Sequence, residues 1–280
     1  MIKEYKNTDF VGERPLFGSD GIYVENCSFA DGESPIKESR DVTVNGCTFK
    51  WKYPMWYGKN IRVENTTLLE MARAGMWYTN GISFDGCTVH APKSFRVCDG
   101  VKLADCVFSN AAETLWNCRN VSIKNVSANG DYFAMNSENV EVDGLKLDGN
   151  YSFDGAKNVV VRSSVLNSKD AFWNSENVTV YDSVIVGEYL GWNSKDLTLI
   201  NCDIESLQGL CYIENLKMIN CRTKATTLAL EYSIVDVDVV GRIDSVFNPS
   251  GGVVRADEIG ELTLDETKID PSKTKIIIKK

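Results

Sequence analysis

One short pattern returns along the chain every 19 to 21 residues, and a repeat that short leaves few folds open. Aligning Asp20-Gly21-Ile22-Tyr23-Val24-Glu25-Asn26-Cys27 with Arg40-Asp41-Val42-Thr43-Val44-Asn45-Gly46-Cys47 defines a position held by Cys27, Cys47, Thr66, Cys87, Cys106, Val126, Leu145, Ser164, Ser183, Cys202 and Cys221. The steps are 20, 19, 21, 19, 20 and then five of 19, a regularity that leaves no room for a second domain. Five residues earlier stands Ile, Val or Leu, as in Val121, Val140, Val159 and Val178; three earlier stands a second apolar residue, as in Val44, Ile123 and Leu199. Between them lie polar residues such as Thr43, Ser122 and Thr179. Apolar and polar residues alternating at period two describe a strand with one buried face. Helical solenoids need longer units and leucine-rich repeats need spaced leucines, so a β-helix coil of three short strands fits best.

The position six before the cysteine site carries Asn60, Asn120, Asn139, Asn158, Asn177 and Asn215, with Gly or Asp elsewhere. These residues tolerate left-handed backbone at tight turns, and stacked asparagine amides can bond from coil to coil. The chain is expected to form one domain over 1–280. Residues 1–15 would be an N-terminal cap, 16–225 regular coils, and 226–280 the C-terminal strands and cap, with Lys275-Ile276-Ile277-Ile278-Lys279-Lys280 pairing at an edge.

Through its recurring Asn-Val-Thr-Val coil the sequence resembles the pectin-lyase-like superfamily. It is similar to an uncharacterised bacterial branch of that superfamily in runs such as Phe49-Lys50-Trp51-Lys52-Tyr53-Pro54 and Gly130-Asp131-Tyr132-Phe133-Ala134-Met135-Asn136. The resemblance implies an all-β, single-stranded right-handed parallel β-helix of about eleven coils, and it brings no established activity. Asn7-Thr8-Asp9 looks like one polygalacturonase motif, but the motif's partners are absent, so a pectin substrate is not indicated.

The net charge of −9 repels phosphate backbones, and no basic, aromatic-interleaved run is present, which argues against nucleic acid. No stretch has the length of a membrane span or of a secretion signal, and nine cysteines without a compact framework suit a reducing compartment. The expectation is a cytoplasmic protein with no membrane contact. One histidine, His90, and no Cys-x-x-Cys pair give no basis for a metal site or any other cofactor.

Chemistry is sought in the third strand of each coil, where two adjacent columns are both apolar. Eleven before the cysteine site run Met55, Met76, Phe95, Leu115, Ala134, Phe153 and Phe172; ten before it run Trp56, Trp77, Arg96, Trp116, Met135, Asp154, Trp173 and Trp192. Adjacent residues of an extended strand point to opposite faces. Arg96 and Asp154 are costly to bury unpaired, which places the tryptophan column outside. The converse, kinked strands that turn the tryptophans inward and leave the Phe/Met column exposed, stays open from sequence. An outward column makes a ridge of Trp77, Trp116, Tyr132, Tyr151, Trp173 and Trp192, suited to an oligo- or polysaccharide or to a second subunit. Arg96, Glu113, Asp131, Asp154 and Asp170 sit along it as candidate acid, base or proton-abstracting groups of a glycoside hydrolase or lyase. The two functional expectations are a carbohydrate-binding or carbohydrate-active β-helix and a non-enzymatic scaffold that oligomerises through the ridge. Whether the chain is an enzyme is left open by its sequence.

Overall fold

The computed structural model describes residues 2–279, so Met1 and Lys280, the ends of the expected cap and edge strand, lie outside the described residues. The chain divides into two compact units, one ending at Lys146 and the other beginning at Leu147. Each is a right-handed parallel β-helix.

In the first unit a long face is built from Lys3–Lys6, Asp20–Glu25, Arg40–Asn45, Lys59–Glu64, Asn80–Asp85, Asp99–Ala104, Arg119–Lys124 and Glu138–Asp143. These strands pair in parallel, so that Ile22, Val42, Ile61, Ile82, Val101, Val121 and Val140 lie in one register column. All seven are buried. A short face stacks Phe10, Phe29, Phe49, Leu68, Val89, Phe108 and Ala128. The rings of Phe10, Phe29 and Phe49 lie parallel at 5.0 and 4.7 Å. Identical residues stack well here because each winding presents the same surface to the next, one strand spacing away.

The second unit repeats the plan with Lys157–Arg162, Glu176–Tyr181, Lys195–Ile200, Glu214–Lys224, Ile234–Val239, Gly251–Ala256 and Thr274–Ile278 on its long face. Val159, Val178, Leu197, Leu216 and Val235 form its buried column. Thr274–Ile278 pairs with Gly251–Ala256, as expected for the lysine-flanked isoleucines.

Eight windings in the first unit and seven in the second give about 15, not about eleven. The cysteine site counts only windings that keep both the 19-to-21-residue spacing and the apolar inward pattern. It therefore misses the first, where Lys3 and Tyr5 take the inward register, and the three beyond Cys221. Residues 3–11 carry that first winding: Lys3–Lys6 pairs with the long face, Asp9–Val11 with the short one.

The third side of each winding departs from the expected strand. Met76–Trp77 and Phe95–Arg96 pair as strands there, with a bridge from Arg96 to Trp116, and toward the C-terminus Ala229 bridges to Val246 in Arg242–Phe247, which pairs with Glu258–Thr263. Elsewhere every second residue is left-handed: Glu113, Leu115 and Asn117 have φ of 53°, 61° and 54°, and Asp170, Phe172 and Asn174 have 56°, 58° and 52°. This backbone turns two consecutive side chains inward, such as Thr114 and Leu115 or Ala171 and Phe172, and the following one outward. Left-handed backbone costs roughly 1–2 kcal/mol at a non-glycine residue, and burial of Leu115 or Phe172 offsets it by a similar amount, about 1.5–3 kcal/mol. The tryptophan column does face outward, half-buried, over a buried Met/Phe column, but through alternating handedness and not through the pleat.

Candidate functional site

Asparagine ladders brace the corners that carry these side chains. Asn60 donates its side-chain amide to Asp41 at 2.9 Å and Asn177 to Asn158 at 2.8 Å. Two further ladders were not expected. Asn125 to Asp105 and Asn220 to Asn201 run at the residue before the cysteine site, and Asn193 to Asn174 runs at the end of the third side. The Asn/Asp/Gly series Asn26, Gly46, Asn65, Gly86 and Asp105 is the sequence signal that marks the first of these. The cysteine column is buried and unbridged, and burial pushes the thiol of Cys47 in that column up to about 11 and that of Cys211, outside it, up to about 12. Both are thiols at neutral pH, acting as small packing groups.

In the first unit the outward column is a closed stack. The Trp56 and Trp77 rings lie parallel at 5.2 Å, and the Arg96 guanidinium sits 4.5 Å from the Trp77 ring centre and 4.4 Å from that of Trp116. Trp116 in turn lies parallel to Tyr132 at 6.4 Å. The indole N–H of Trp77 donates to the Lys93 carbonyl at 2.8 Å, and that of Trp56 donates to the Ala74 carbonyl. Arg96 also donates to Glu113 at 2.8 Å, and Lys93 reaches the other oxygen of the same carboxylate at 3.0 Å. Arg96 is thus held between two ring faces as a partnered cation, an arrangement opposed to its acting as a base. Glu113 is engaged by two cations, and Asp131 is exposed, its carbonyl accepting from the Glu113 amide at 2.9 Å. In this stack the rings spend their faces on one another, so solvent meets mainly their edges.

The second unit is open where the first is closed. Tyr151 lies roughly parallel to Trp173 at 6.2 Å, but Trp173 and Trp192, one winding apart, make no ring contact. Trp192 instead meets Tyr189 and Tyr212 edge-on, at 5.2 and 5.1 Å, and donates its indole N–H to the Gln208 carbonyl at 2.6 Å. The break leaves a shallow depression lined by Tyr151, Lys169, Asp170, Trp173, Tyr189, Trp192 and Gln208. Tyr151, Asp170, Tyr189 and Gln208 stand at one height on successive windings, their amides donating to the next winding at 2.8, 2.8, 3.1 and 2.8 Å.

Two carboxylates belong to this region. Burial raises the Asp170 carboxyl above its ordinary range, with Lys169 opposing the shift, and only 5% of the residue is exposed. Burial also raises Asp154, against a hydrogen bond from Asn174 at 3.2 Å. Lys169 pairs with Glu188 at 3.3 Å and lies 5.0 Å over the Tyr189 ring. Of the eleven residues singled out by sequence, Tyr151, Asp170, Trp173 and Trp192 line the depression, and Asp154 contributes to the field at Asp170. Trp77, Arg96, Glu113, Trp116, Asp131 and Tyr132 belong to the first unit. Lys169, Tyr189 and Gln208 complete the lining; Lys169 and Tyr189 are outward neighbours of the ridge in the sequence as well, and the spacing of 19 from Tyr189 is the signal that locates Gln208.

Among solved structures the chain is similar to the surface adhesin PfbA of Streptococcus pneumoniae, at 10% identity over 93% of this chain and 83% of that one, with a TM-score of 0.51. It is also similar to the A-module of mannuronan C-5 epimerase AlgE4 from Azotobacter vinelandii, at 12% identity over 94% and 89% of the two chains, with a TM-score of 0.32. The likeness to PfbA, at 10% identity, is one of fold. No curated protein matches the chain. The model of DUF3737, described as a protein of unknown function, matches residues 3–277, and the chain belongs to that family.

Proposed function

We propose that the second unit binds an oligosaccharide in the depression around Trp173 and Trp192. The observation that carries this reading is the break in the aromatic stack: rings that do not cover one another leave apolar faces for a pyranose, with Lys169, Asp170 and Gln208 alongside to bond hydroxyls. Trp173→Ala and Trp192→Ala are each expected to weaken binding of a glycan-array ligand on the order of 10-fold, about 1.4 kcal/mol. Trp116→Ala, in the closed stack, should leave that affinity unchanged. An array that detects no glycan ligand would remove the proposal.

A second reading, self-association, is favoured by the first unit. Tyr57 and Tyr78 stack at 5.0 Å beside the Trp56–Trp77 pair, and Tyr57 is 50% exposed, an aromatic patch of the kind that interfaces cover. Mass measurement across micromolar concentrations decides it, since a strict monomer excludes this role.

A further inference from the structure

Asp170 is a largely buried residue in the wall of the depression. Among the described residues no hydrogen-bond donor or ion-pair partner is found for its side chain, although the residue is 95% buried and lines the depression. The nearby cation compensates it only in part: Lys169 is paired with Glu188 and lies over Tyr189, and its field opposes the effect of burial without cancelling it. Asp154 adds a second negative field from the adjacent column. A carboxylate this buried and only partly compensated carries a desolvation cost that a neutral hydroxyl partly relieves and a cation relieves more fully. The surrounding rings act in the same direction: Tyr151 and Tyr189 flank Asp170 along the column, Trp173 and Trp192 stand beside it, and aromatic faces attract cations. Lys169 over Tyr189 is an example of that attraction within the protein itself. The net charge of −9 adds a long-range pull of the same sign.

We infer that the depression takes an amino sugar, its protonated amine pairing with Asp170 while the pyranose ring lies against Trp173 or Trp192. The inference rests on the oligosaccharide reading above and narrows it to sugars bearing a free amine. It predicts discrimination at one functional group, since a hydroxyl in place of the amine can donate a hydrogen bond to Asp170 but brings no opposite charge.

The test is calorimetry on the full chain at pH 6, where a sugar amine is protonated, with two β-1,4-linked hexasaccharides, one of glucosamine and one of glucose. The glucosamine hexamer is expected to bind at least about 10-fold more tightly. In Asp170→Asn its affinity should fall to that of the glucose hexamer, with a thermal melt showing that the variant is folded. Trp173→Ala should weaken both. Equal affinities in the parent protein, or a preference that survives Asp170→Asn as general attraction to an acidic surface would, overturn the amine inference and leave the oligosaccharide reading standing. Binding of neither hexamer overturns both.

Discussion

Arg96 and Asp170 show how one outward column gives two different chemical outcomes. Arg96 has both its faces covered by indoles and its charge met by Glu113. Replacing it by Ala removes two desolvated cation–π contacts and part of an ion-pair cluster, so a loss of about 2–3 kcal/mol is expected in urea denaturation. Arg96→Lys should recover only part of that, because an ammonium lacks the planar fork that fits between two rings. Asp170 has the opposite sign. Burial raises its folded-state pKa above the unfolded value, so the native chain holds more protons than the unfolded chain between the two. Stability is therefore lost as pH rises through that window, and the loss is complete once pH exceeds the folded-state value. Asp170→Asn should melt higher at pH 7, by roughly 2–4 °C for about 1 kcal/mol, with the difference gone near pH 3. A variant that melts lower at pH 7 would show that the carboxylate is stabilised in the fold and would remove the argument for an external cation.

At the scale of the repeating corner, the asparagine ladders combine two contributions that a single substitution can separate. Asn177 has φ of 55° and donates to Asn158 at 2.8 Å. Asn177→Ala loses the bond and places a side chain with no local hydrogen bond in left-handed backbone, an expected cost of about 1.5–3 kcal/mol. Asn177→Gly keeps the backbone relaxed and should cost less, about 1 kcal/mol. Equal losses in chemical denaturation would mean that backbone handedness contributes nothing there. The sequence shows the first ladder clearly because Asn recurs at one offset. The third side was read less well: Thr114-Leu115 and Ala171-Phe172 are adjacent buried pairs, and an extended-strand alternation has no way to turn both inward. Their left-handed neighbours Glu113 and Asp170 carry no glycine signal that would have announced the turn.

For the molecule as a whole, packing within each unit is a matter of like stacking on like. Phe49 lies fully buried between Phe29 and the Leu68 winding. Phe49→Ala should cost about 3–5 kcal/mol, read by denaturation, and a loss below 1 kcal/mol would contradict a dry stacked column there. The sequence by itself determined the windings, their inward columns and their parallel register. Period-two alternation states which side chains face in, and a constant offset states which ones meet in the next winding. Windings that break the spacing or the inward apolar pattern, the first through Lys3 and the last through Gly252 and Thr274, are invisible to that offset, which is why about eleven are expected where about 15 exist. Only the tertiary structure decided that Trp56, Trp77, Arg96 and Trp116 close on one another while Trp173 and Trp192 stand apart. The physical reason is that ring orientation depends on side-chain torsions and on neighbours a full winding away. An offset in sequence can place two rings at one height, but it does not say whether their faces meet each other or remain open to a ligand.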